Sequence, residues 1–297
     1  MKITDHVHEI RMPFQSIIGG GCTVERVVNL WIVCNEQICL IDSGVLSSDR
    51  ILFEYLGSTG RRPQDVQLLV LTHSHPDHIG SAPTIVRRTG CKTAAHVQAV
   101  PWIEDVGRQF KEHPLDNFYD LVEGSFKIDK ILRDGDMIEL DDGLSLDVIH
   151  TPGHSKDSIS FFLKADGALF TGDAIPVAGD LPIYEDVVRL IASIQKLKAL
   201  KGVKVLFSSW SALRHAGQID GYIDESLNYI QRIHETVCQS MDAYPDISSK
   251  DLCAKVLKKL ELPDASNKLN VVRSIEAHRA CSHRKDLLTS YHCRTFS

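Results

Sequence analysis

The chain has 297 residues, 43% of them hydrophobic and 24% charged, and a formal net charge of −6. That length holds one large domain, or one domain with a smaller appendage, and the composition is that of a soluble globular protein with ample chain to bury a core. An acidic balance gives no electrostatic reason to expect a nucleic acid or an anionic membrane as partner. No run approaches the roughly 18 uninterrupted apolar residues of a membrane-spanning helix, and the N-terminus lacks the apolar stretch of a secretion signal. Eight cysteines are scattered without a CxxC pair. They read as reduced thiols, which makes the cytoplasm the expected address.

Residues 1–42 are β-rich: 28–34, a turn at Asn35-Glu36-Gln37 and 38–41 read as a hairpin of buried strands ending in Asp42-Ser43-Gly44. Ser47 or Ser48 caps a helix expected to run to about Gly57. The apolar run 66–71 reads as a buried strand. A short helix over 82–88 is stopped by Gly90, and 91–96 reads as another strand. Residues 97–130 are the least regular, with Trp102, Phe110, His113, Phe118, Tyr119 and Phe126 among many charges. Such a connection is either a lid or substrate wall, or an insertion whose aromatic residues anchor it to the core.

From Ile128 short strands resume, punctuated by turns at Asp134-Gly135 and Asp141-Asp142-Gly143. Strands at 144–150, 159–163 and 168–171 follow, the last two forming a hairpin about Lys164-Ala165-Asp166-Gly167 that ends at Gly172-Asp173. This echoes the first hairpin, which ends at Asp42, and suggests two similar halves facing each other. A Pro/Gly-rich loop over 175–182 leads into an amphipathic helix carrying Val187, Leu190, Ile191, Ile194, Leu197 and Leu200 at helical spacing. Gly202 ends it, 203–207 is the last strand, and a long helix with Ile219, Tyr222, Ile223, Leu227, Ile230 and Val237 on one side follows. After Pro245, Ser248 and Asp251 form a capping box for a helix through Leu260, and a second helix starts near Ser266. The expected division is a main domain over 1–244 and a small helical appendage over 245–297.

Metal-ligand residue types concentrate in Thr72-His73-Ser74-His75-Pro76-Asp77-His78-Ile79-Gly80, where the strand 66–71 opens into a turn. Alternation along a strand lets His73 and His75 point the same way. Pro76 takes the chain off the ladder, so Asp77 and His78 can be re-aimed. Imidazole and carboxylate together suit zinc, iron or manganese. The bland alternative is a polar loop that happens to hold histidines. His154, in a Thr-Pro-Gly-His turn, and Asp173 and Asp42 each end a strand. Singly each is an ordinary turn residue; together they make convergent ligands at strand ends, an open site with room for water or substrate.

On Asp42 in Leu-Ile-Asp-Ser-Gly, the His73-x-His75-x-Asp77-His78 cluster, His154 and Asp173, the chain resembles the metallo-β-lactamase superfamily over about residues 20–240, in the company of its glyoxalase II-like hydrolases. The resemblance implies an α/β fold, a four-layer αβ/βα sandwich with its metal site at the edge between two sheets, followed by the helical appendage. It implies that His73, His75 and His154 hold a first metal, that Asp77 and His78 face a second, and that Asp173 bridges both. Asp42 would orient the loop without binding metal. One or two divalent ions are implied, zinc or iron with manganese a further candidate, and a metal-bound hydroxide as nucleophile. Asp77 is then the candidate catalytic residue, orienting that hydroxide or taking up a proton. The fold is well specified by these motifs and the substrate is not, because one fold hosts many reactions.

The chain departs from the family at one point. The second site is usually closed by a histidine in a Gly-His turn after the last strand; here the strand 203–207 is followed by Ser208-Ser209-Trp210-Ser211, which puts Trp210 in that place. His215, five residues on, is the candidate replacement; a water-filled position, or one metal only, are the alternatives. Trp210 and Tyr184 are candidate substrate contacts. His96 and His150 are candidates for support around the ligands, and His6 and His8 read as edge residues. Cys281, His283, His292 and Cys293 lack finger-like spacing and read as a solvated tail.

The leading expectation is a metal-dependent hydrolase of a small ester, thioester or related small molecule, with the appendage as part of the substrate wall. One alternative is a mononuclear iron oxygenase resembling persulfide dioxygenases, with His73, His154 and Asp173 as a two-histidine, one-carboxylate site. A lesser one is an RNA or phosphodiester hydrolase, although the 37 positions from Asp173 to Trp210 leave no room for the large insertion of the β-CASP nucleases. A non-catalytic binding protein fits the nearly complete ligand set worst. No membrane partner is expected, nucleic acid is disfavoured, and homo-oligomerisation is left open.

Overall fold

The computed structural model describes residues 1–17, 23–141 and 143–289. Cys22, His292 and Cys293 lie outside the described residues, so the tail reading of the last two stays with the sequence. Strand β1 (Val7–Ile17) pairs antiparallel with β2 (Thr23–Cys34), which pairs antiparallel with β3 (Ile38–Ile41). After helix α1 (Asp49–Ser58), β4 (Val66–Val70) returns parallel to β3. Two helices, α2 (Pro76–Ile79) and α3 (Ala82–Thr89), carry the chain to β5 (Lys92–His96), parallel to β4. The irregular stretch of the sequence forms three short helices, α4 (Val100–Ile103), α5 (Val106–Glu112) and α6 (Phe118–Leu121), before β6 (Lys130–Leu132) closes this sheet.

The second sheet contains β7 (Met137–Glu139), β8 (Ser145–His150), β9 (Ile159–Leu163) and β10 (Ala168–Phe170). Helix α7 (Val187–Lys198) crosses to β11 (Val205–Phe207), parallel to β10, and β12 (Arg214–His215) completes the sheet. The two sheets run in the orders β1-β2-β3-β4-β5-β6 and β12-β11-β10-β9-β8-β7. An antiparallel hairpin followed by a parallel neighbour occurs in both, as β2–β3–β4 and β9–β10–β11. The echo seen in the sequence is therefore a real repetition of topology.

Strand alternation sorts the core into layers. Val7, Trp31, Val33, Ile41 and Val70 from one sheet meet Val148, Phe161, Phe170 and Phe207 from the other. Trp31 is fully buried there, 5.6 Å from Phe170 and 6.1 Å from Phe207 between ring centroids. The opposite face of the first sheet packs Leu30, Ile32, Leu40 and Leu69 against Leu52 and Leu56 of α1 and Ile85 of α3. The outer face of the second packs Phe162, Leu169 and Leu206 against α7 and the long helix α8 (Ala216–Ala243). The result is a helix–sheet–sheet–helix sandwich. His6 does more than mark an edge, since its Nδ1 lies 2.7 Å from Asp166 Oδ1 and ties the N-terminus to the turn of the second hairpin.

Beyond α8, α9 (Ser249–Lys259) starts on the expected Ser248 cap, whose side chain accepts from Asp251 N–H at 3.2 Å. Helix α10 (Leu269–Ala280) begins three residues later than expected, after a turn in which Ser266 N–H donates to Asp264 and Lys268 N–H to the Ala265 carbonyl. Leu252, Val256, Leu257, Val271 and Ile275 of these helices share a core with Tyr229, Ile233 and Val237 of α8. No helix among the described residues is long and apolar enough to cross a membrane.

Tyr184 corrects one expectation. It is buried at 2% exposure, its N–H donates to Ser274 Oγ at 2.8 Å, and its hydroxyl lies 2.6 Å from His278 Nε2. Burial, then His234, pushes His278 down to about 3, so the neutral ring accepts from the tyrosine. Tyr184 thus fastens the loop before α7 to α10, and its side chain is spent inside the protein.

Gly80, at the end of the histidine-rich stretch, sits where three segments cross. Its N–H donates to the Gly44 carbonyl at 2.8 Å and its carbonyl accepts from Glu123 N–H at 3.0 Å. A Cβ there would lie 2.2 Å from Leu121 O and 2.6 Å from Leu46 N, both backbone atoms that cannot step aside alone. Gly80→Ala is expected to cost about 2 kcal/mol or more and to lower Tm by about 4–8 °C in a scan. Gly57→Ala, with nothing within 4 Å in α1, should leave Tm unchanged or slightly raised.

Candidate metal centre

The ligand-type side chains come from strand ends on one edge of the sandwich. β3 and β4 are parallel neighbours, so Asp42 and Thr72 emerge side by side. β8 and β10 both lie antiparallel to β9, so His154 and Asp173 emerge on a common edge of the second sheet. The two edges are joined by Ile159 N–H donating to the Thr72 carbonyl at 2.8 Å. Gly172, at φ +52°, lets the Asp173 turn approach closely; a Cβ there would meet Thr72 Cβ and Oγ1 at 2.9 Å. Pro76 opens α2, where its missing N–H costs nothing, and the turn of helix that follows presents Asp77 and His78.

Two overlapping groups converge: His73, His75 and His154, and His73, His78 and Asp173, each with ligand atoms within 4.8 Å of one another. His154 Nε2 lies 2.9 Å from His75 Nδ1 and 3.4 Å from Asp173 Oδ2. His73 Nε2 lies 4.0 Å from Asp173 Oδ2. His78 Nε2 lies 3.3 Å from Asp173 Oδ1, without hydrogen-bond geometry, and 3.7 Å from Asp77 Oδ2. For comparison, nitrogens bound at about 2.0–2.1 Å around a tetrahedral ion are about 3.3 Å apart.

The far side of three of the four rings is fixed by an acceptor, while His75 Nε2 is buried without a partner. His154 Nδ1 donates to the Ile183 carbonyl at 2.8 Å, and His78 Nδ1 donates to Asp42 Oδ2 at 2.9 Å. Asp42 also accepts from Thr72 N–H at 2.7 Å and Thr72 Oγ1 at 2.8 Å, and that oxygen in turn lies 3.0 Å from His73 Nδ1. The Nε2 atoms of His73, His78 and His154 are therefore left to face the centre. His73 Nε2, His78 Nε2 and Asp173 Oδ1 are buried without a hydrogen-bond partner. Orphaned lone pairs converging in a buried pocket are what a cation satisfies, so the donor set fits a metal ion.

The charge pattern agrees at His73, His75 and Asp173, and at His78 it shows a surplus of carboxylate charge around the ring. Burial, reinforced by the neighbouring imidazoles, holds His73 and His75 well below the ordinary histidine value, in the neutral form that ligates. Burial opposes ionisation of Asp173, but His78 and His154 outweigh it and hold the carboxyl well below its usual range. Burial likewise opposes the His78 imidazolium, yet the carboxylates of Asp173, Asp42 and Asp77 outweigh it and raise its pKa well above the ordinary value. Burial pushes Asp77 up, against the pull of His78.

A cavity of about 410 Å³ opens on this cluster, with His75, Asp77, His154 and Asp173 at its base. Phe14 and Trp210 form one wall, Leu115 and Leu121 of the 97–130 insertion another, and Ile175, Leu181 and Ile183 a third. Pro263, Ala265 and Val271 of the C-terminal segment complete it, while Tyr184 does not line it. The insertion is thus a wall of the cavity as well as an anchored segment.

Trp210 stands at the centre's edge and lines the cavity. Its Nε1 donates to Asp173 Oδ2 at 2.7 Å, and Arg26 lies over its ring at 4.9 Å. His215 does not replace it: the residue is exposed, caps α8 with its N–H on Gln218 Oε1 at 3.1 Å, and joins neither ligand group. His96 and His150 stack on each other at 4.2 Å, with His150 Nε2 donating to the Lys156 carbonyl, and neither lines the cavity. The sequence missed Gln109, Asn117, Lys268 and Asn270, which supply polar atoms to the cavity. His113, in the segment read as either a substrate wall or an anchored insertion, lines the cavity 5.5 Å from His75, with Nε2 3.6 Å from Glu185 Oε1. No motif spacing marks these residues; they are brought in by the insertion and by α10.

Comparison with known proteins gives a consistent picture. The family model described as "Metallo-beta-lactamase superfamily" matches residues 23–225. A Caenorhabditis elegans protein named beta-lactamase-like protein 2 homolog is 24% identical over 194 residues, 64% of this chain and 57% of that protein. The chain thus spans little more than half of that relative's length. A hydroxyacylglutathione hydrolase from Erythrobacter litoralis is 25% identical over 185 residues, 61% of this chain and 64% of the relative. The crystal structure of a metallo-beta-lactamase family protein from Thermus thermophilus superposes with a TM-score of 0.69 at 19% identity, covering 91% of each chain, a likeness of fold. With a family model matched over well more than half its length, on the sandwich and ligand geometry described, the chain belongs to the metallo-beta-lactamase superfamily.

Proposed function

We propose that this chain is a metal-dependent hydrolase of a small ester, thioester or related acyl substrate whose apolar part fills the cavity. The observation that carries this reading is the union of a three-histidine cluster with orphaned ring nitrogens and a largely apolar cavity opening directly onto it. An ion held by His73, His75 and His154 supplies an activated water and a Lewis acid for the acyl oxygen. The chain's own residues do the remainder. Asp42 and the Ile183 carbonyl keep the ring nitrogens aimed inward. Asp77, on the cavity side of the centre, is the carboxylate placed to orient the attacking water or take up its proton. The apolar walls hold the acyl group and exclude bulk water. The relative named as a hydroxyacylglutathione hydrolase supports an acyl substrate.

The cavity's two cationic side chains are both engaged, Arg26 by Asp180 at 3.7 Å and Lys268 by Asp116 at 2.9 Å, which disfavours a phosphodiester backbone as substrate. The described cysteines are free thiols, which supports a reducing, cytoplasmic address.

A second reading is favoured by the bond from Trp210 to Asp173. A neutral donor occupies one side of the carboxylate oxygen expected to bridge two ions, and no side chain beyond His73 and Asp173 joins His78 in a ligand group among the described residues. A single iron held by His73, His154 and Asp173 would give an oxygenase acting on a persulfide.

Protein isolated without added metal is expected to carry one or two equivalents of zinc by elemental analysis and to hydrolyse a member of a thioester and ester panel. His154→Ala should deplete the metal and lower kcat/KM by about a hundredfold or more. One equivalent of iron, oxygen uptake on a persulfide and no hydrolysis across the panel would decide for the oxygenase. Tyr184→Phe, which leaves His278 Nε2 without its donor, is expected to cost about 1–3 kcal/mol of stability while KM stays within about twofold.

A further inference from the structure

The short loop between His73 and His75 lies outside the sheet ladder, so its backbone groups need partners from elsewhere. Ser74 is the residue between the two ligands, and both of its peptide groups are gripped by buried side chains. Its N–H donates to Asp157 Oδ2 at 2.8 Å, and its carbonyl accepts from Gln109 Nε2 at 2.6 Å. Asp157 is 0% exposed and Gln109 1%. The partners come from remote places: Asp157 follows His154 in the β8–β9 connection, and Gln109 sits on α5 in the insertion, where it also lines the cavity.

We propose that Asp157 and Gln109 are positioning residues that fix the Ser74 peptide from both sides and so set the aim of His73 and His75. Two features separate this from ordinary loop bracing. A buried carboxylate is a costly partner for one backbone N–H, because a neutral acceptor would serve at less desolvation cost. Asp157 Oδ1, Gln109 Oε1 and Ser74 Oγ are also all buried without partners, a local expense that stability alone does not explain. The clamp makes the ligand loop one unit with α5 and with the β8–β9 connection. Backbone error there is transmitted directly to ring position, because the flanking residues are the ligands.

The inference rests on the reading that His73, His75 and His154 hold a metal ion. It is tested in the full chain by titrating the metal-free protein with Co(II), following affinity and the visible bands that report coordination geometry. Asp157→Ala and the isosteric Gln109→Glu, which cannot donate to the Ser74 carbonyl, should weaken Co(II) binding by about 10- to 100-fold and shift the bands. Asp157→Asn, which keeps an acceptor oxygen for Ser74 N–H, should recover affinity to within about threefold of the parent. Thermal denaturation of the metal-free proteins shows which variants are folded, and Asp157→Asn and Gln109→Glu remain informative if Asp157→Ala is not. Parent-like affinity and bands in Asp157→Ala and Gln109→Glu would overturn the proposal, and equal loss in Asp157→Asn and Asp157→Ala would overturn its hydrogen-bond basis. Failure of the unsubstituted chain to bind Co(II), or equal binding by its His154→Ala variant, would instead sink the metal reading itself.

Discussion

Asp42 is the constraint on which the centre depends. Its residue sits at φ +65°, a conformation that a short polar side chain tolerates better than most. From there, one carboxylate, 1% exposed, takes Thr72 N–H, Thr72 Oγ–H and His78 Nδ1–H. Because the Thr72 hydroxyl is spent on Asp42, it can only accept from His73 Nδ1. A single buried charge therefore fixes the tautomer of two histidines and locks the end of β3 to the end of β4. A neutral residue there would leave those donors buried and unpaired, each at about 1–3 kcal/mol. The site is held in shape by a carboxylate that belongs to neither ligand group.

What the sequence shows clearly is what is local and periodic. The hairpin over 28–41 and the run over 66–71 carry the near-continuous apolar sequence of strands covered on both faces, and both stand as strands. Asp42, His73, His75, His154 and Asp173 are legible because each follows such a run, and strand ends on one edge converge by topology alone. Tyr184 fails for the opposite reason. Its backbone N–H is held by Ser274 and its hydroxyl by His278, some 90 positions away on α10. His215 fails because one residue later the chain becomes a helix, and a capping role claims it first. Asp157 passes unnoticed because a lone aspartate in a turn carries no spacing signal.

The cavity has the same non-local origin. Its base comes from the ends of three strands, β4, β8 and β10, yet apart from Phe14, Val24, Arg26 and Trp210 its walls come from the 97–130 insertion, the 175–183 loop and the segment from Pro263 on. None of these has a strong periodicity of its own. The C-terminal helices can contribute only because Tyr229, Ile233 and Val237 on α8 offer them an apolar face, and because Tyr184 and Ser274 pin the loop to α10. Helix α8 ends at Ala243, and the cavity is not complete without residues that lie past it. Stability of that packing and shape of the substrate wall are therefore one property.

Trp210 joins wall and centre. A histidine there would offer a lone pair; an indole offers only a proton and a broad face. The proton goes to Asp173 Oδ2, while the face packs beside Phe14 and under Arg26. The half of the site with Asp77 and His78 thus gives up a ligand, and the cavity gains an apolar surface pinned to the carboxylate below it. The same bond holds Asp173 in orientation through the one oxygen that also faces His154. On the proposed hydrolase reading, a substrate packed against the indole would be in mechanical register with the histidine cluster, and the wall that selects it would also set where its reacting group comes to rest.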